Sequence, residues 1–155
     1  MTTERISDAE LAAQPAAYWT GLAYEALIGF TRARQAELGF TQPGFWILRN
    51  LSPHDISADG HGMTIPELRQ AMRTYLRAED DLDAESVTLL ERGWVTRDAD
   101  GRLWITEAGE AARLSLKRHT PEIRGRIHDG IDDADYVTAL KVLRQMIRNT
   151  GGELP

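Results

Sequence analysis

The stretch Leu89-Leu90-Glu91-Arg92-Gly93-Trp94-Val95-Thr96-Arg97-Asp98-Ala99-Asp100-Gly101-Arg102-Leu103-Trp104-Ile105-Thr106-Glu107-Ala108-Gly109 changes its periodicity twice. Leu82, Val87, Leu89 and Leu90 supply the apolar positions of a helix that Gly93 is placed to close. Trp94 to Arg97 and Arg102 to Thr106 then read as short strands around a turn carrying the Asp100-Gly101 signal. Thr106 opens a long helix with Glu107, Ala108 and Gly109 in its first turn. A single β-hairpin is therefore set between helices.

Outward from that hairpin the chain reads as helical. Thr64-Ile65-Pro66-Glu67 has capping-box spacing with proline in the first turn and predicts a short helix to about Tyr75, with a break over 77–80 before the helix containing Leu82. Two short helices followed at once by a hairpin are the winged helix-turn-helix order. Further upstream, Ser7 and Glu10 form another capping box, and Pro15 opens a helix to about Leu38 with apolar Tyr18, Leu22, Ala26 and Phe30 flanked by Trp19, Ala23 and Leu27. That stripe is too wide for one contact. Gly39 ends it, Thr41 to Pro43 opens a helix holding Phe45, Trp46, Leu48 and Leu51, and polar 54–62 is a loop. Downstream, Pro121 bends or breaks the helix begun at Thr106, and a last helix from Asp132-Asp133 repeats Tyr136, Leu140, Leu143 and Ile147 up to Gly151.

The fold class expected is mainly α with a small β-hairpin wing. Residues 1–155 form one domain, with a winged helix-turn-helix over 41–106 and pairing helices over 16–38 and 107–150. The sequence has no cysteine, so disulfide scaffolds, thiolate metal sites and thiol redox sensing are excluded. It has no secretory start and no apolar run long enough to span a bilayer, which points to a cytoplasmic protein without a membrane partner. Eighteen Lys and Arg against twenty-four Asp and Glu give a formal net charge of -6, so any attraction to nucleic acid must be local.

Two motifs carry a family resemblance. Leu89 to Arg97 resembles the passage from recognition helix into wing of the MarR family of bacterial transcription regulators, and Leu103 to Gly109 resembles its leucine-Thr-Glu-x-Gly return from wing to helix. Thr64 to Leu68 resembles the start of the first helix-turn-helix element, and the likeness runs through nearly the whole chain. The resemblance implies a homodimer built by interleaved N- and C-terminal helices. It also implies double-stranded DNA as partner and a pocket between the helical layer and the winged part, often used by aromatic acids. Tyr18, Trp19 and Trp46 fall on helices that would line such a pocket, with His119 as an anion partner, although core packing is the plainer reading of Trp46.

The chain departs from the family pattern at the recognition helix, where Glu79, Asp80, Asp81, Asp83 and Glu85 precede Arg92 with no basic residue between. Acidic residues in a first turn complement the helix dipole, leaving Ser86 and Thr88 nearer its middle, and a carboxylate can accept from cytosine N4. Positive charge remains at Arg69, Arg73 and Arg77 and, in the wing, at Arg97 and Arg102, which together with Thr64 make the candidate DNA contacts. Solvated surface is the other reading of these arginines. His54, Asp55, Asp59 and His61 match no metal spacing and read as a polar loop. No catalytic motif and no cofactor loop appears. The function expected is a homodimeric regulator whose affinity for a pseudo-palindromic operator responds to a small aromatic ligand. The alternative is a dimer of the same fold that binds a small molecule or a protein and does not use its acidic helix on DNA.

Overall fold

In a computed structural model, which describes residues 5–155, the chain divides into two compact units, one ending at His119 and one running from Thr120 to Pro155. The first holds α1 (Asp8–Ala12), α2 (Ala16–Glu37), α3 (Gln42–Leu51), α4 (Ile65–Ala71), α5 (Leu82–Glu91), β1 (Val95–Arg97), β2 (Leu103–Ile105) and α6 (Glu107–Lys117). The second holds α7 (Thr120–Ile127) and α8 (Asp133–Asn149). The mainly helical fold with one small hairpin is the architecture expected from the sequence.

Local chemistry sets most of the boundaries. Ser7 and Thr64 each accept from the backbone N–H three residues on, and Glu10 and Glu67 answer to their backbone N–H groups, closing two full capping boxes. Thr41, Asp81 and Thr106 cap α3, α5 and α6 through the N–H groups of Gly44, Ala84 and Gly109. Pro15 stands at the N-cap of α2, one position before the first turn expected for it. α4 stops at Ala71 instead of reaching Tyr75. Residues beyond it continue as turns because the Tyr75 ring is drawn against Trp46, 4.3 Å between centroids, and its hydroxyl accepts from Asn50 Nδ2 at 3.0 Å. The Pro121 break is complete: α6 ends at Lys117, and Pro121 lies in the first turn of α7, where no N–H is required.

α3 is the hub of the first unit. Ile47, Leu48 and Leu51 are buried against Leu68 and Met72 at the α4 end, Leu82 and Leu89 of α5, Val95 and Leu103 of the wing, and Leu116 of α6. The strands pair antiparallel with Val95 opposite Ile105 and Arg97 opposite Leu103, and Met63 adds a bridge to Leu103 through hydrogen bonds of 3.1 and 2.8 Å. At the wing tip, Asp98 accepts from the N–H groups of Asp100 and Arg102 and from Trp104 Nε1, all at 2.9 Å, while Gly101 takes φ 78°. The wing is thereby fixed as a tight loop on a rigid base.

The two motifs read from the sequence interlock. The Thr106 hydroxyl donates to the Gly93 carbonyl at 2.6 Å, and the Thr106 N–H donates to the Trp94 carbonyl at 3.0 Å. Gly109 passes so close behind them that a Cβ there would lie 2.0 Å from the Trp94 carbonyl oxygen. Glycine at 93, with φ 71°, and at 109, with no side chain, are both demanded by this junction.

Candidate nucleic-acid interface

The face of α5 follows from its period. Leu82, Ser86 and Leu89 point into the core, so Asp83, Ala84, Val87, Thr88 and Glu91 form the exposed side. Ser86, expected near the bases, is instead 1% exposed: its hydroxyl donates to the Asp83 carbonyl at 2.7 Å and accepts from Arg97 Nη2 at 3.0 Å. Its position on the Leu82, Leu89 side of the helix is the physical reason, and its task is to hold the wing arginine. Thr88 does lie on the exposed face. Val87, counted from the sequence among the apolar positions of this helix with Leu82, Leu89 and Leu90, is half exposed instead, because its spacing from Asp83 and Glu91 puts it on the outer face.

Each arginine of this region has a partner inside the chain. Arg69 pairs with Asp83 of α5 at 3.3 Å, and Arg73 donates to the Gln70 carbonyl at 3.0 Å. Arg77 turns away from α5 and toward α2, pairing with Glu25 at 3.0 Å, lying over the Tyr24 ring and also holding Glu79 at 2.7 Å. Those carboxylates push its own pKa further up, and Arg77 in turn holds the Glu79 carboxyl below its ordinary range. In the wing, Arg102 reaches Glu67 with both terminal nitrogens, at 2.8 and 3.1 Å, and the Gly62 carbonyl at 2.9 Å. Hydrogen bonds from Arg102, and then from the Thr64 backbone, keep the Glu67 carboxyl low. Thr64 itself is occupied as the cap of α4. The sequence located the positive charge but not its partners, because Arg102 and Glu67 are joined only by the tertiary fold.

Of the residues expected to line a ligand pocket, Tyr18 and Trp19 stand on α2, Trp46 on α3 and His119 just after α6. Tyr18 and Trp19 meet edge to face at 5.5 Å on α2 and are 59% and 45% exposed, and Trp19 Nε1 donates to Gln14 Oε1 at 2.5 Å. Trp46 is half-buried at the core edge against Tyr75. His119 follows α6, its N–H donating to the Leu116 carbonyl at 2.9 Å. In the 54–62 loop, Asp55 is taken by Arg49 at 3.1 Å and by the buried Arg113 at 3.1 Å, and His61 packs on the Trp104 ring. Among the described residues no group of three or more His, Asp or Glu could hold a metal, and no helix is long and apolar enough to cross a membrane.

A winged helix-turn-helix with a fixed wing is the class that this geometry defines. No family model and no curated protein matches the sequence. Solved structures do match it. A MarR family transcriptional regulator from Silicibacter pomeroyi superposes with TM-score 0.67 at 19% identity over 94% of this chain and 99% of its own. One from Rhodococcus sp. RHA1 gives 0.64 at 18% identity over 93% and 96%. A MarR family protein of Mycobacterium tuberculosis, solved in complex with DNA, gives 0.63 at 19% identity over 86% and 98%. The chain has the fold of the MarR family transcriptional regulators.

Proposed function

We propose that this chain is a MarR-type, homodimeric transcription regulator that binds a pseudo-palindromic duplex and changes affinity when a small aromatic ligand occupies it. The observation that carries the reading is the tandem of α4 and α5 followed by the Val95–Ile105 wing, in the fold of a protein solved on DNA. In that arrangement Thr88 faces bases, while Arg69, Arg73, Arg97 and Arg102 meet phosphates and Thr64 marks the entry of α4. Pairing is supported by apolar surface that a lone chain leaves in water: Tyr18, Leu22 and Leu27 on α2, and Val137, Leu140 and Met146 on α8, are all more than 40% exposed. Two copies related by a two-fold axis place half-sites about one helical turn apart. Tyr18 and Trp19 offer the ring surface for the ligand.

A band-shift assay with DNA from upstream of the chain's own gene tests the reading. Retardation that weakens steeply with salt is expected. A folded dimer that shifts nothing at low salt rejects DNA as the partner.

A second reading keeps the fold and the dimer but sets α5 against a basic protein. It is favoured by one observation: Asp83, Glu85 and Glu91 stand on α5 behind its cap Asp81, and Arg69, Arg73, Arg77 and Arg102 are already matched by acids or carbonyls. Indifference to heparin as well as to duplex supports this second reading.

A further inference from the structure

The wing arginine Arg102 shares a cleft with a titratable ring. This cleft lies between the 54–62 loop, α4 and the base of the wing, and its charged and titratable groups are Asp59, His61, Glu67 and Arg102. The segment that brings His61 there is fixed against the wing. Met63 and Leu103 exchange hydrogen bonds of 3.1 and 2.8 Å, and a Cβ at Gly62 would lie 2.5 Å from Trp104 Cε2, so the backbone is pressed onto the indole. The His61 ring meets the same indole edge to face at 5.1 Å, and the His61 backbone N–H donates to Asp59 Oδ1 at 2.9 Å. His61 is nonetheless exposed and open to protons from solvent.

The charges of the cleft do not balance while the imidazole is neutral. Two carboxylates, Asp59 and Glu67, then stand against one guanidinium. Arg102 engages both oxygens of Glu67, at 2.8 and 3.1 Å, and also the carbonyl of Gly62, the residue next to His61. If Arg102 leaves for a phosphate, Glu67 is left without a counter-ion beside an incoming anion, and like charge opposes the exchange. A proton on His61 supplies the missing cation, which stays behind when Arg102 departs. Arg102 holds the Glu67 carboxyl low, with help from the Thr64 N–H, and the His61 charge acts on Glu67 in the same direction. Asp98, which accepts from Trp104 Nε1 on the wing, adds a further carboxylate near the ring, whereas Arg102 repels the proton for as long as it remains in place.

We infer that His61 is a proton-operated release for the wing: its protonation frees Arg102 from Glu67 for a phosphate, and duplex binding in turn takes up a proton at His61. The inference rests on the DNA contact proposed above and goes beyond it in making pH a regulator of that contact. His61 acts through Glu67 and Arg102 and is a positioning residue, not itself a phosphate ligand.

Fluorescence anisotropy of a labelled duplex at constant ionic strength tests it between about pH 8 and about pH 6, the span in which an imidazole takes up its proton. Affinity of the parent should rise about five-fold as pH falls, the contribution of one close charge pair in water. His61→Phe keeps a ring beside Trp104 but cannot titrate, and its affinity should stay at the parent's value for the upper pH. Glu67→Gln removes the carboxylate through which His61 acts and should bind tightly at both ends of the range. The Arg102 guanidinium resonances of the DNA-free protein give a second readout: they should shift on acidification in the parent and stay in place in His61→Phe. The inference is overturned if the parent's affinity is flat with pH, if either variant keeps the parent's response, or if the Arg102 resonances do not move. A parent that binds no duplex at any pH, yet shows an Arg102 shift that His61→Phe abolishes, rejects the DNA contact and supports the coupling of His61 to Arg102.

Discussion

Arg32 of α2 grips Asp80, just before the cap of α5, with two parallel hydrogen bonds of 2.8 and 2.9 Å. The same carboxylate accepts the Arg77 backbone N–H at 2.8 Å, and the Arg77 guanidinium returns to Glu25 of α2. α2 is thus fastened by charge to the turn that starts α5. The Asp80 side chain is only 4% exposed, so deleting Arg32 strands a buried carboxylate. Arg32→Ala should destabilise the chain by about 2–4 kcal/mol. Arg69→Ala, which breaks a pair with Asp83 exposed on both sides at 55% and 72%, should cost under about 1 kcal/mol. Denaturant titration separates the two, and equal losses would refute the strut.

The same carboxylate gives the acid limb of stability its direction. Burial pushes the Asp80 carboxyl up, but the Arg32 hydrogen bonds, the Arg77 N–H and both guanidinium charges outweigh it, and the net shift is downward. A folded-state pKa below the unfolded value of about 3.9 means that the stabilisation is present above that value and is lost as pH falls through the folded pKa. Asp55, between Arg49 and Arg113, is lowered too and adds to the same limb. Stability should therefore fall below about pH 4, and Asp80→Asn should flatten that fall while lowering the plateau above it. An unchanged slope in Asp80→Asn would show that Asp80 is not among the groups responsible.

What the sequence disclosed, and what it withheld, separates along local and tertiary lines. Capping boxes at Ser7 and Thr64, the Gly93 stop and the Asp100-Gly101 turn are written in neighbouring residues, and each stands where it was expected. The end of α4 did not follow because Tyr75 answers to Trp46 and Asn50, which are distant in sequence. At the candidate interface, arginine positions were legible but their partners were not, since Arg69–Asp83 and Arg102–Glu67 depend on how α4, α5 and the wing meet. Ser86 was misplaced for a simpler reason. Counting from the cap Asp81, it falls on the side of the helix that carries Leu82 and Leu89, and helical period there outweighs its polar character.

Gly109 offers a test in which helix propensity and packing disagree in sign. An alanine in a helix is ordinarily favoured over glycine by about 1 kcal/mol. Here its Cβ would sit 2.0 Å from the Trp94 carbonyl and 2.9 Å from Ile105 Cγ1, so α6 would be forced off the wing. Gly109→Ala should lower stability by about 1–3 kcal/mol, whereas Gly125→Ala, with nothing within 4 Å, should be neutral or stabilising. Thermal unfolding of the pair decides, and a stabilised Gly109→Ala would refute the close junction.

Self-association should depend on the exposed apolar faces of α2 and α8. The proposed dimer would bury Leu22 and Leu140, which are 48% and 41% exposed, and an aspartate at either position would then have to be buried unpaired. Leu22→Asp and Leu140→Asp should sediment as monomers with unchanged helix content at concentrations where the parent is a dimer. Dimers that persist in both variants would move the interface away from these faces.

Arg102 carries a prediction about charge at the wing. Its guanidinium is held by Glu67 and the Gly62 carbonyl, so contact with a phosphate requires an exchange of partners. Glu67→Gln removes the competing charge and leaves an oxygen that can still accept from the Thr64 N–H. Duplex affinity, read by fluorescence anisotropy across a salt series, should rise, and the slope of log affinity against log salt should steepen by about one phosphate contact. Arg102→Ala should act in the opposite direction on both quantities. If Glu67→Gln alters neither affinity nor slope while the parent binds duplex, Arg102 does not touch the backbone.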